Sequence, residues 1–178
     1  MNFWIEKLPD SVEIDGKEYP IQTDFRVWVK CSILLEQEKN PILLTADLLA
    51  LCYQTLPPSF EGAMKGIFSF YIGEKDTKRV GEKTKPIYSF LHDADLIYAA
   101  FYSQYGIDLA TASLHWYQFR ALFSGLDENN RFSEVICARE VNLSKVSDPA
   151  QKSYYKKLKG LYGLPSETDA AQALEALF

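Results

Sequence analysis

Asp93-Ala94-Asp95-Leu96-Ile97-Tyr98-Ala99-Ala100-Phe101-Tyr102-Ser103-Gln104-Tyr105-Gly106 is the stretch on which the fold turns. Past its two acids it carries only Ser103 and Gln104 as polar side chains before the glycine. A helix apolar on nearly every side belongs at the centre of a helical core. Asp93 is placed to cap it and Asp95 to meet the positive end of its dipole. Gly106 suits the left-handed turn that ends a helix.

Moving outward, the helical period persists on both sides. A helix beginning near Ser113 puts Trp116, Tyr117, Phe119 and Phe123 along one stripe and ends at Gly125. Phe132, Val135, Ile136 and Leu143 form another, with Arg139 nearby. Asp148-Pro149 reads as a cap followed by proline at the first helical position, and Gly163 and Pro165 close that helix. Upstream, Phe25, Trp28, Val29 and Leu35 follow a cap at Thr23 or Asp24, and Asn40-Pro41 ends the helix. Thr45 is the expected cap of the next one, which carries Leu48, Leu49, Cys52, Tyr53 and Leu56. Phe60, Met64, Ile67, Phe68 and Tyr71 recur at helical spacing despite Gly62 and Gly66. The exception is Val12 to Tyr19, which alternates around Asp15-Gly16 and predicts a two-residue hairpin.

The expected fold is therefore all-α, with about six or seven helices and a small N-terminal β-hairpin. Residues 1–165 are read as a single helical domain, with the hairpin at 10–21. Within it, 74–85 is an exposed charged loop, with five Lys and Arg against three acids and almost nothing apolar to bury. Residues 166–178 form a C-terminal tail, either a short amphipathic helix docked on a partner or a frayed end.

Lys and Arg total 19 against 24 Asp and Glu, a formal charge of -5. That sign disfavours non-specific nucleic-acid binding, which needs cations to displace phosphate counterions. No basic leader precedes an apolar core at the N-terminus, and the apolar runs are too short to span a bilayer, so a cytoplasmic protein is expected. Cys31, Cys52 and Cys137 are far apart in sequence and read as buried, reduced thiols.

Glycine-rich phosphate loops and the nucleophile elbow are missing. His92-Asp93-Ala94-Asp95 is the one cluster with metal or acid–base potential, but His115 lies in another helix and the capping role suffices. Arg120, surrounded by apolar residues, needs a carboxylate, and Asp95 is the expected partner in a structural ion pair. No cofactor is called for, and a non-catalytic protein is expected. For partner binding, the stripe Tyr154, Tyr155, Leu158 and Tyr162 and the tail residues Leu174, Leu177 and Phe178 are the candidates. Packing within the monomer is the competing use of the first four.

Asp93 to Phe101, Tyr105 to Leu109 and Leu114 to Leu122 together resemble a family of phage and prophage proteins of Gram-positive hosts, named after gene product fifteen. The hairpin leading into Thr23-Asp24-Phe25-Arg26 and the stretch Phe132 to Arg139 fit it as well. The resemblance implies a gene of the tail module near the tape-measure gene. It implies no catalytic residues. A tail assembly chaperone that coats the tape-measure protein, self-associates and is absent from the mature virion is the leading expectation. A structural component of the tail or head–tail junction is the alternative, and a metal-dependent enzyme the third.

Overall fold

The computed structural model describes residues 5–73 and 86–165. The charged loop expected at 74–85 and the tail from 166, with Leu174, Leu177 and Phe178, lie outside those residues. Among the described residues there are two strands, β1 (Ser11–Ile14) and β2 (Lys17–Pro20), and seven helices. The helices are α1 (Phe25–Gln37), α2 (Pro41–Cys52), α3 (Phe60–Ile72), α4 (Ala94–Tyr105), α5 (Trp116–Ser124), α6 (Arg131–Glu140) and α7 (Pro149–Tyr162). The protein is mainly helical with an N-terminal hairpin, as expected from the sequence. The described residues divide into two compact units, one of residues 5–73 and 110–125, the other of residues 86–109 and 126–165.

The first unit is built on the hairpin and α1, α2, α3 and α5. Asp15 and Gly16 both take positive φ, 53° and 76°, the backbone of the tight turn that matches strand twist. Strand pairing sets Val12 against Tyr19 and Ile14 against Lys17. Val12 and Ile14 face α3, where Gly62 and Gly66 let the strand approach. A Cβ at Gly66 would lie 2.6 Å from the Tyr53 hydroxyl and 3.0 Å from Val12 Cγ2, and one at Gly62 would overlap Ile14 Cγ2. The glycines that weaken α3 as an isolated helix are thus the contact that seats the hairpin.

Behind α3 lies an aromatic cluster. Trp28 is completely buried and stacks on Phe70 at 4.8 Å, while Phe25 stacks on Phe119 at 4.8 Å and Trp116 on Tyr71 at 5.4 Å. Both indoles satisfy their N–H groups, Trp28 Nε1 donating to the Gln22 carbonyl at 2.8 Å and Trp116 Nε1 to that of Tyr71 at 3.0 Å. Such partners are what allow tryptophan into a core.

The second unit packs α4 and α7 against α6. Ile97, Phe101, Phe132, Val135, Ala138 and Leu158 are buried in it. Here α4 departs from the expectation of an all-round buried helix, because Tyr98 and Tyr102 are exposed and stack on each other at 6.1 Å. Rings with a polar tip tolerate water at one end, so composition overstated the burial. Gly106 ends α4 in the left-handed conformation, as expected.

Several helix starts differ from expectation. Asn40, not Thr45, caps α2, accepting from the Ile42 and Leu43 amides, with Pro41 at the first position. Thr45 instead donates back to the Pro41 carbonyl. α5 starts at Trp116 rather than near Ser113, and Leu143 falls beyond the end of α6. Asp24 and Asp148 cap α1 and α7 as expected.

Replacing Gly66 by Ala should lower stability by about 1–3 kcal/mol through overpacking, even though helix propensity alone would favour alanine by about 1 kcal/mol. Gly160, in α7, has open space where its Cβ would be, so Gly160→Ala should stabilise by up to about 1 kcal/mol. Urea unfolding of the two variants checks the opposite signs.

Candidate functional site

Three sets of side chains concentrate chemistry or exposed apolar surface: a pair of capping side chains, a buried ion pair and an apolar helix face. The first joins α1 to α5 within the first unit. Asp24 and His115 form an antiparallel bridge, the Phe25 amide donating to the Leu114 carbonyl at 3.1 Å and the Trp116 amide to that of Thr23 at 2.7 Å. Each of the two residues caps its own helix. Asp24 Oδ1 accepts from the Arg26 amide at 2.8 Å, and His115 Nδ1 accepts from the Tyr117 amide at 3.1 Å. Gln118 Oε1 completes a capping box by accepting from the His115 amide. An accepting Nδ1 leaves the proton on Nε2, which donates to the Pro9 carbonyl at 2.9 Å. Sequence reading set His115 apart from the His92 cluster and gave it no role; the fold makes it a neutral cap. Burial holds its pKa below the ordinary 6.5, against the opposing pull of the Pro9 carbonyl and Asp10.

The second set lies in the other unit. Asp93 is almost fully buried, and Arg139 grips both its oxygens, with Nη1 at 2.7 Å and Nη2 at 2.8 Å. Asp93 also accepts from the Ser89 amide at 2.9 Å, while Arg139 donates to the carbonyls of Ile87 and Tyr162. Lys159 returns a hydrogen bond to the Arg139 carbonyl at 2.7 Å. The pair therefore ties the segment before α4, α6 and the end of α7 together, through four hydrogen bonds donated by one guanidinium. Asp93 starts α4 but makes no side-chain cap to it, because its carboxylate is turned to Arg139.

The expected Asp95–Arg120 pair is not among the ion pairs of the described residues. Asp95 sits exposed in the first turn of α4, in the second unit. Arg120, in the first unit, donates to the Tyr71 and Ile72 carbonyls at the end of α3, at 3.2 and 2.5 Å. An end-of-helix carbonyl carries partial negative charge, which favours a guanidinium there.

Cys31 and Cys52 are buried, as expected, yet folding brings their sulfurs to 3.5 Å. The hydrogen bond with Cys31, and then burial, push the Cys52 thiol far up. Cys137, expected to be buried, is exposed on α6. Burial pushes the pKa of the neighbouring Tyr53 up to about 12, and its hydroxyl donates to the Ala63 carbonyl at 2.9 Å. Among the described residues, no group of three or more His, Cys, Asp and Glu side chains is gathered to hold a metal ion.

The third set is apolar. Of the α7 stripe, Leu158 is 3% exposed and belongs to the core, Tyr155 and Tyr162 are half-buried, and Tyr154 is exposed. Arg131 lies over the Tyr162 ring at 5.1 Å. Leu161, on the outer side of the helix, is more open than any of them at 63%. The larger face is on α2. Ile42 is 78% and Leu43 53% exposed, with Ala46 and Ala50 exposed along the same helix and Asp47 its only charge. Sequence reading followed the stripe of Leu48, Cys52 and Tyr53, which is buried, on to Leu56, which lies beyond the end of α2 and is exposed, and missed this face. The available signal was that Pro41-Ile42-Leu43-Leu44 offers apolar side chains on more sides than one core contact can cover.

Two measurements check this geometry. Asp93→Ala should cost about 3–5 kcal/mol by leaving Arg139 buried without its carboxylate, and Asp93→Leu with Arg139→Met should cost clearly less. For His115, the unfolded chain takes up its proton first as pH falls. Stability from this group is present above about pH 6.5 and is lost as pH drops toward the lower folded value. His115→Asn keeps a capping acceptor and should flatten that part of the pH–stability profile.

A family model described as Bacteriophage Gp15 protein matches residues 4–164. No curated protein and no solved structure matches the chain.

Proposed function

The chain belongs to the bacteriophage Gp15 protein family, of phage structural or morphogenesis proteins, and from that premise we propose that it acts in tail assembly as a non-catalytic chaperone. Its partner is the tape-measure protein, held during tail morphogenesis in the cytoplasm of a Gram-positive host. The observation that carries the reading is the exposed apolar face of α2. Ile42, Leu43, Ala46 and Ala50 present one side of a helix with a single charge, which is the surface an amphipathic partner helix recognises. An apolar patch rimmed by polar residues marks an interaction site more often than it marks an idle surface. Tyr154 and Leu161 on α7 offer a second, smaller contact. More than one contact suits a protein that must bind repeatedly along an extended partner, since linked weak sites add avidity.

The test is co-expression with the tape-measure protein followed by affinity capture. The native chain should keep that protein soluble and retain it. Ile42→Glu with Leu43→Glu should reduce capture at least tenfold, while helical circular dichroism and melting temperature stay close to native. Equal capture by the double variant would remove α2 from the account, and failure of the native chain to retain the tape-measure protein would remove the proposed partner.

A further inference from the structure

Within the first unit, an open groove of about 890 Å³ runs between the outer edge of β1 and α5, over the surface of α3. One wall is a strand edge. The hairpin has a two-residue turn, so the residues flanking it, Ile14 and Lys17, exchange hydrogen bonds, and so by alternation do Val12 and Tyr19. The Ile21 amide continues the series by donating to the Asp10 carbonyl at 3.0 Å. Ser11 and Glu13 are then the non-bonded positions, whose N–H and C=O groups point away from β2. Pro20, opposite Ser11, fits this register, because its missing N–H would also point outward. Among the described residues, β1 pairs with β2 alone, and no hydrogen bond is made by the outward main-chain groups of Ser11 and Glu13.

The two cations of the groove lining are already engaged, Lys65 with Glu61 at 2.6 Å and Arg120, on the α5 wall, with the Tyr71 and Ile72 carbonyls. On the β1 side the charges have one sign, Glu13 and Asp15. Antiparallel pairing with β1 of a second copy would set these carboxylates against each other, and like charges across strands destabilise the pair. We infer that the groove takes an extended, Lys- or Arg-bearing segment of another polypeptide, added as a third strand to the outer edge of β1. Main-chain hydrogen bonds to Ser11 and Glu13 supply the attachment, and Glu13 and Asp15 select basic side chains. Lys65 and Ser69 of α3 form the floor, and Ala121 and Ser124 of α5 the far wall. This surface is distinct from the α2 face, so it stands or falls separately from the tail-assembly reading.

The probe is a fluorescein-labelled decapeptide of alternating Lys and Val, titrated with the full chain at physiological salt and followed by anisotropy. Saturable binding is expected. The same peptide N-methylated on alternate residues along one edge keeps its charge and should bind at least tenfold more weakly, as should a Glu–Val decapeptide. Glu13→Pro removes an outward N–H without touching the bonds to β2 and should weaken binding at least fivefold. Glu13→Lys, which leaves the backbone intact, should do the same and keeps the inference testable if the proline variant melts early. Lack of saturable binding by the Lys–Val peptide would overturn the inference. So would equal binding of the N-methylated peptide, which would mean charge attraction alone, or unchanged binding by Glu13→Lys.

Discussion

The bridge between Asp24 and His115 is the constraint on which the first unit depends. It fastens together two helix starts that lie far apart in the sequence, so that α1 and α5 leave the same point. From there the stacking of Phe25 on Phe119, and of Trp28 on Phe70, follows as a consequence of where the helices begin. The Pro9 carbonyl, accepting from His115, draws the chain entering the hairpin to the same place. The hairpin can then lie on α3 only because Gly62 and Gly66 leave room for Val12 and Ile14. One pair of caps, a glycine face and a ring cluster thus determine the walls of the β1 groove.

The second unit solves the same problem with charge. Its helices α6 and α7 are polar on most sides, so apolar burial alone supplies less than in the first unit. The Asp93–Arg139 fork compensates by satisfying a carboxylate, a guanidinium and three main-chain groups in one place. A buried pair of this kind adds little net stability over an apolar replacement, but it tolerates one geometry only. Its contribution is to fix how α6 meets the start of α4 and the end of α7.

What the sequence made legible was local. Asp24, Asp148-Pro149, Asp15-Gly16 and Gly106 act on neighbours within a few residues, and each sits where its chemistry predicts. Asn40-Pro41 was read as an end, whereas it also begins α2, since the same dipeptide can do both. What stayed hidden depends on contacts between distant segments. Arg120 and Arg139 look alike in sequence, each amid apolar residues, and only the fold gives one a pair of carbonyls and the other Asp93. The imidazole cap at His115 and the meeting of Cys31 with Cys52 were invisible for the same reason. The exposed α2 face was hidden differently, since an apolar run does not say which of its sides the core will take.

If the apolar faces serve assembly as proposed, the protein should leave when assembly ends. Quantitative mass spectrometry of purified virions against infected-cell lysate tests this most directly. The account predicts abundant protein in the lysate and less than one copy per particle in virions. A fixed, stoichiometric copy number in virions would contradict it, and would make the chain a structural part of the tail.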